Sequence, residues 1–280
     1  MRTNNEYSIG LKPIFDTVIF EIKKQRKKFY FFLGVAILVA FLVGYLLYLF
    51  PGYLLPDTQA EYFSSGLTFI EYLTLFAACL FFSGIICSEF DKKTGAIVFP
   101  KINKYKLILG KYLGNLILVV CILAIYYFLL GLLGFFYYSG PINIRIFYSF
   151  GFAILYAITL SSFVTLFSSF MKSVNITIIS TLLILLIGFN IADQIINIIF
   201  ADSFEPLYSI LYLGGLIASV LQNPFPDPRY AEIDLPGGMG GGFSFGQWIT
   251  PTIEMGIILL LVYIFVFFIL AAILFKRRQL

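Results

Sequence analysis

The chain of 280 residues is 60% hydrophobic and only 12% charged, with a mean hydropathy of +0.94 and a formal net charge of +4. Soluble domains average about 45–50% apolar and about 25% charged residues, so this composition excludes an ordinary water-soluble fold and demands lipid around much of the surface. Histidine is absent, which removes the usual haem ligand, the commonest zinc ligand and the commonest general base.

The first informative segment is amphipathic. Leu11, Ile14, Phe15, Val18, Ile19 and Ile22 recur at helical spacing, and Pro13 suits a first-turn position. The segment ends in the basic run KKQRKK at 23–28. It predicts a helix over 12–28 lying on the cytoplasmic membrane surface, its basic end near anionic headgroups. The next run, 29–50, is longer than a signal-peptide core and ends in Pro51-Gly52 without a small-residue cleavage site, so it is expected to be retained as a first span. Five further runs of about 20 apolar residues come after it, at 66–87, 113–138, 146–170, 176–200 and 252–275.

Orientation follows from the loops. With the N-terminus in the cytoplasm, 17 of the 19 Lys and Arg fall on cytoplasmic segments, leaving only Arg145 and Arg229 outside. Asp57, Glu61, Asp202, Glu205, Asp227, Glu232 and Asp234 show the opposite bias. The expected fold is an all-α membrane protein of six transmembrane helices with both termini cytoplasmic. Residues 207–221 are apolar but too short for a comfortable span, and a crossing there would put the C-terminal basic residues outside. They are expected to form an external re-entrant or interfacial segment within a long external loop, 201–251. The glycine-rich stretch 236–242 reads as flexible loop, since it does not complete a GxGxxG pattern.

Polar residues inside the spans are few. Glu71 lies near the external end of span two, where it either snorkels to headgroups or faces a path. Asn190, Asp193, Gln194 and Asn197 share one face of span five; that face either lines a polar path or subunit interface, or emerges into water. Ser161, Ser162, Thr165, Ser168 and Ser169 form a small face on span four that suits close helix packing. Cys79, Cys87 and Cys121 form no CxxC pair and read as small buried hydrophobes.

The most informative loop is 88–111, between spans two and three. Ser88 is placed as a helix N-cap, Glu89 and Asp91 complement the first-turn dipole, Gly95 permits a sharp reversal and Pro100 stops what precedes it. Such a loop presents a rigid knob, with Phe90 and an apolar patch at 96–99, that another cytoplasmic protein could grip. Its basic residues also serve as a topology signal.

In Glu89, Thr94, Gly95, Pro100, Lys104, Gly110 and Lys111 this loop resembles that of the membrane subunits of type-2 ABC (ATP-binding cassette) exporters. The amphipathic basic helix before span one and the C-terminal FKRRQL at 275–280 agree with that likeness. The spacing departs from it: five positions separate Gly95 from Pro100, fewer than in many members. The resemblance implies a permease that pairs with a second permease and two ATPase subunits. Residues 88–99, with Glu89, Phe90, Asp91, Thr94, Gly95 and Pro100, would form a coupling helix seated on an ATPase. Ile14, Phe15, Val18, Ile19 and Ile22 would carry a second contact, and Glu71, Asn190, Asp193 and Asn197 a path or interface.

Nothing in the sequence fits GxxxxGK[ST], so the chain is not expected to be an ATPase itself, and neither cofactor nor nucleic acid is expected. The competing expectation is an anchor subunit of a larger complex in the plasma membrane. A soft-metal path needs sulfur or imidazole ligands, which four scattered Met and three Cys do not supply. Lipid, peptide and amphiphilic small molecule stay open as substrates.

Overall fold

The computed structural model describes residues 11–45, 48, 54–91, 103–138, 140–200, 203–235 and 243–277, the side chains of 232–235 and 243–245 excepted. Among them are six helices long and apolar enough to cross a membrane: α1 (Lys12–Gly44), α2 (Gln59–Asp91), α3 (Lys104–Tyr137), α4 (Arg145–Phe170), α5 (Val174–Phe200) and α7 (Ile253–Arg277). A shorter apolar helix, α6 (Ile210–Ser219), precedes a hairpin of β1 (Tyr230–Leu235) and β2 (Phe243–Trp248).

The separate surface helix expected over 12–28 is not a separate element. It runs without a break into the first apolar run as one helix of 33 residues. The physical reason is local: Pro13 sits harmlessly in the first turn, and neither Gly nor Pro interrupts the junction at 28–29. Likewise the basic stretch before span three is the first part of α3, which begins at Lys104, capped by the Asn103 side chain accepting from the Tyr105 N–H at 3.0 Å. The described residues are mostly helical, consistent with the all-α membrane class expected, with one small addition. Tyr230 pairs with Trp248 and Leu235 with Phe243 in an antiparallel hairpin, so a small β element caps the helices within 201–251.

α2 forms the centre of the bundle. Of its most apolar stretch 67% is buried, against 17% for α5 and 11% for α7. α2 is made of three helical pieces, Gln59–Leu67, Ile70–Phe82 and Cys87–Asp91. Tyr62, Phe63, Leu67, Ile70, Leu75 and Ile85 along it are fully buried against Ile122, Leu123 and Tyr126 of α3 and Tyr156 of α4. Tyrosine hydroxyls tie the pieces down: Tyr126 donates to the Gly66 carbonyl at 2.6 Å and Tyr62 to the Gly44 carbonyl at 2.8 Å. α5 and α7 leave most of their apolar surface open, which suits lipid or another chain.

α1 lies along α3 because two glycines remove the side chains between them. A Cβ on Gly110 would sit 2.6 Å from Thr17 Cβ and 2.9 Å from the Ile14 carbonyl oxygen; one on Gly114 would sit 3.1 Å from the Val18 carbonyl oxygen. Four residues apart, these glycines share one helix face, so the two backbones meet closely there. The α1 face turned inward is accordingly small or polar: Thr17, Val18, Glu21 and Gln25 are buried. Phe15, Ile19 and Phe20 point outward, with Ile14 and Ile22 half-buried.

Candidate functional site

The two ends of the bundle carry different chemistry. At one end the last turn of α2, the start of α3, the start of α1 and the end of α7 come together; this is the loop end. The hairpin end carries α6 and the β-hairpin.

At the loop end the helical piece Cys87–Asp91 leads directly into residues 92–102. Thr94, Gly95 and Pro100 lie outside the described residues, so only the base of the expected coupling loop is placed. That base is held from several directions. Lys111, on α3, is buried with 4% of its side chain exposed, and its ammonium donates to the Glu89 carboxylate and to the Ile85 carbonyl at 3.4 Å. Glu89, at 13%, is therefore engaged inside the chain. The Phe90 ring meets Phe275 of α7 edge-on at 6.3 Å, and Tyr105 of α3 meets the same ring at 6.5 Å. Asp91 is exposed.

Ser88 does not cap this piece as expected. Its hydroxyl donates backwards to the Gly84 carbonyl. The capping group comes from another helix: Ser168 Oγ on α4 accepts from the Ile86 and Cys87 N–H groups, both at 3.1 Å, and donates to the Ser83 carbonyl at 2.7 Å. A neighbouring helix thus satisfies N–H groups left open where α2 turns at 83–86. The serine-rich face of α4 does more here than allow close packing. Of the three cysteines, Cys79 and Cys87 are buried as expected, whereas Cys121 is exposed on the flank of α3.

At the hairpin end the structure brings Glu71, Asn190, Asp193 and Asn197 into the lining of one cavity of about 230 Å³. Tyr72, Tyr212, Gly215, Gln247 and Trp248 are among the other residues around it. A five-residue π turn, Ile184–Gly188, interrupts α5 just before Asn190. Such a turn shifts the helical register of the residues beyond it, and Asn190, Asp193 and Asn197 then fall on one face at helical spacing. Glu71 opens the second piece of α2, in its first turn. It approaches the α6 backbone closely because position 214 carries no side chain: a Cβ there would lie 3.1 Å from Glu71 Oε2 and 3.0 Å from Tyr156 Cζ.

The remaining wall comes from 201–251, where sequence reasoning singled out no site residue. Ser209 Oγ donates to Asp193 Oδ2 at 2.7 Å. Glu205 accepts from Tyr212 OH at 2.8 Å and from Arg229 Nη1 at 2.6 Å, and the Arg229 guanidinium lies 5.5 Å over the Trp248 ring. Burial, and then the hydrogen bond to Glu205, push the Tyr212 phenol above its ordinary value, so it stays a donor. This clasp joins α6 to the hairpin across the cavity mouth. The sequence carried only a faint trace of it, the large–small alternation of FSFGQW at 243–248, too short to read as a strand by itself.

The cavity is lined by acidic and amide side chains. Glu71 and Asp193 contribute carboxyl groups, Asn190 and Asn197 amides, and neither Lys nor Arg is among the described residues lining it. The Asn190 amide already donates to the Leu186 carbonyl at 2.6 Å. Asp193 also has the Tyr208 hydroxyl against it, while Asn197 Oδ1 and Trp248 Nε1 are buried without hydrogen-bond partners among the described residues. No cluster of three or more Cys, Asp or Glu able to hold a metal ion occurs among the described residues. No protein-family model matches the chain, and no curated protein matches it.

Proposed function

We propose that this multi-pass membrane protein is the permease subunit of an ATP-driven ABC exporter in the plasma membrane, working with a second permease and separate ATPase subunits. The observation that carries the reading is the braced base of the 92–102 loop. A short helix that had only to connect two spans would need no buried Lys111–Glu89 pair, no Ser168 cap from α4 and no ring contact with α7. Together these tie the base of the loop, the end of α2, to α3, α4 and α7, so a push arriving at that base reaches most of the bundle. In this reading the loop end faces the cytoplasm, as the distribution of Lys and Arg favours. α6 is re-entrant from the other side, and the open flanks of α5 and α7 meet lipid and the second permease.

Glu89 then acts by holding the loop base, while Phe90, Asp91, Thr94, Gly95 and Pro100 shape the surface offered to the ATPase. The outward apolar stripe of α1, with Phe15 and Ile19, lies against headgroups or that same partner. Mild-detergent purification tests the reading: the chain is expected to retain an ATPase bearing its own Walker motifs. A monomer that neither binds nor stimulates an ABC ATPase would make the chain an anchor subunit instead.

A further inference from the structure

We infer that the groove between α3 and α7 at the loop end binds an anionic phospholipid, with one acyl chain in the groove and the headgroup at its basic rim. The groove holds about 260 Å³. Its floor is buried and includes Ile86, Thr165, Ala271 and Phe275; its edges are exposed, with Tyr105 and Leu109 on α3 and Ala272 on α7. Rings bridge the two helices, Tyr112 with Phe268 at 4.7 Å deeper in the bundle and Tyr105 with Phe275 at 6.5 Å near the loop. Two polar groups of the lining are already engaged: Thr165 Oγ1 donates to the Ser161 carbonyl at 2.7 Å, and Tyr112 OH to the Ile158 carbonyl at 3.3 Å. Water gains little in such a space, and apolar cavities take apolar occupants. The lining runs over 105–112 of α3 and 268–275 of α7, about two turns and about 10 Å of helix. That is room for a stretch of alkyl chain but not for a partner helix, which is about 10–12 Å across.

Charge selects the headgroup. Lys104 lies one turn before Ile108 on α3, and Lys276 one turn beyond Ala272 on α7, so each wall of the groove ends in a lysine on its own face, with Arg277 beside the second. Lys276 and Arg277 are exposed. Of the two acids that flank Phe90, Glu89 is already met by Lys111, which leaves Asp91 against these basic groups. Basic side chains at the ends of membrane-spanning helices draw anionic headgroups. Phe275, in the floor, is also the ring that meets Phe90, so a chain in the groove packs against the base of the 92–102 loop. The inference needs a chain embedded in lipid but does not rest on the permease reading.

The test is titration of the delipidated protein in detergent with dioleoyl phosphatidylglycerol, read by native mass spectrometry and by melting temperature. A retained lipid adduct and a rise in melting temperature are expected, with dioleoyl phosphatidylcholine about tenfold weaker. Lys276→Gln combined with Arg277→Gln is expected to remove most of that preference and to leave phosphatidylcholine binding as it was. Ala272→Phe, placed at the exposed edge, fills the groove and is expected to abolish the adduct with either lipid; should it fold poorly, the charge variant decides alone. Gly131→Leu fills a different apolar groove, of about 250 Å³ between α3 and α4, where an added Cβ meets nothing within 4 Å. It is expected to respond like the parent. The inference is overturned if phosphatidylcholine binds as tightly as phosphatidylglycerol, or if Gly131→Leu is the variant that loses the adduct. It is equally overturned if an equal concentration of oleate displaces the phospholipid, which would make a free fatty acid the ligand. It also fails if the charge variant titrates like the parent, or if Ala272→Phe turns a dimer into a monomer without changing lipid binding, which would make the groove a contact with a second copy.

Discussion

Lys111 and Glu89 are the pair whose chemistry decides how the loop end works. Taking both groups out of water is unfavourable in itself, so the pair adds little net stability but fixes a geometry. Removing one partner strands the other: Lys111→Met and Glu89→Gln are each expected to destabilise the purified protein by roughly 3–5 kcal/mol, with the double variant recovering much of the loss. Thermal unfolding of the four proteins in one detergent measures this. Additive losses would show that the two groups do not form a functional pair. The sequence singled out Glu89, and Lys111 beside it, from their resemblance to a loop pattern. Their mutual contact was not legible there, because 22 residues separate them and only the turn at 83–86 and the close seating of α3 bring them together. Glu71, Asn190, Asp193 and Asn197 were legible as polar residues in apolar helices, where such residues are expensive and need a reason. That they line one cavity depended on the π turn and on Gly214, neither of which has a sequence signature strong enough to be read alone.

Helices that lie flush need a reason in their side chains, and for α1 and α3 it is Gly110 and Gly114. The pattern GKYLG at 110–114 carries the small-xxx-small spacing of close helix contacts. In sequence Gly110 reads as part of the loop pattern, and its packing role shows only once α1 is seen against it. Gly110→Leu is expected to push α1 off α3, since even a Cβ there meets Thr17 and the Ile14 backbone. The measurement is protease or thiol accessibility of the buried α1 face, for instance at Thr17→Cys. It should rise at least severalfold in the double variant while the α2–α4 core stays folded. Unchanged accessibility would mean that α1 is held mainly by its outer apolar face. The six long helices were readable because hydropathy over some 20 residues is a strong signal. Their ends were not: a basic stretch such as 23–28 or 104–111 reads by composition as the boundary of a span yet runs on into the same helix, because Lys and Arg are good helix formers. The hairpin was not legible because its strands are only six residues each and border a glycine-rich run.

At the scale of the whole molecule, charge and architecture divide the chain into two ends. The loop end carries the basic residues of α1 and α3 and the end of α7; the hairpin end carries a cavity lined by Glu71 and Asp193 beside α6 and the hairpin. Orientation is testable after the native cysteines are replaced. Gly240→Cys is expected to react with an impermeant thiol reagent added to intact cells, and Thr94→Cys only after the membrane is opened. Reversed labelling would invert the topology and move the cavity to the cytoplasmic face. The central claim is that force from ATP hydrolysis enters through the braced loop. The direct measurement is permease-dependent ATP hydrolysis by the reconstituted complex, with Gly95→Val and Lys111→Met compared with the parent and with Lys172→Ala in the short loop between α4 and α5. Gly95→Val should leave insertion and assembly intact yet abolish most of the stimulation, Lys111→Met should reduce it alongside its loss of stability, and Lys172→Ala should leave it near the parent level. Full stimulation in both loop-end variants, or its loss only in Lys172→Ala, would contradict the account.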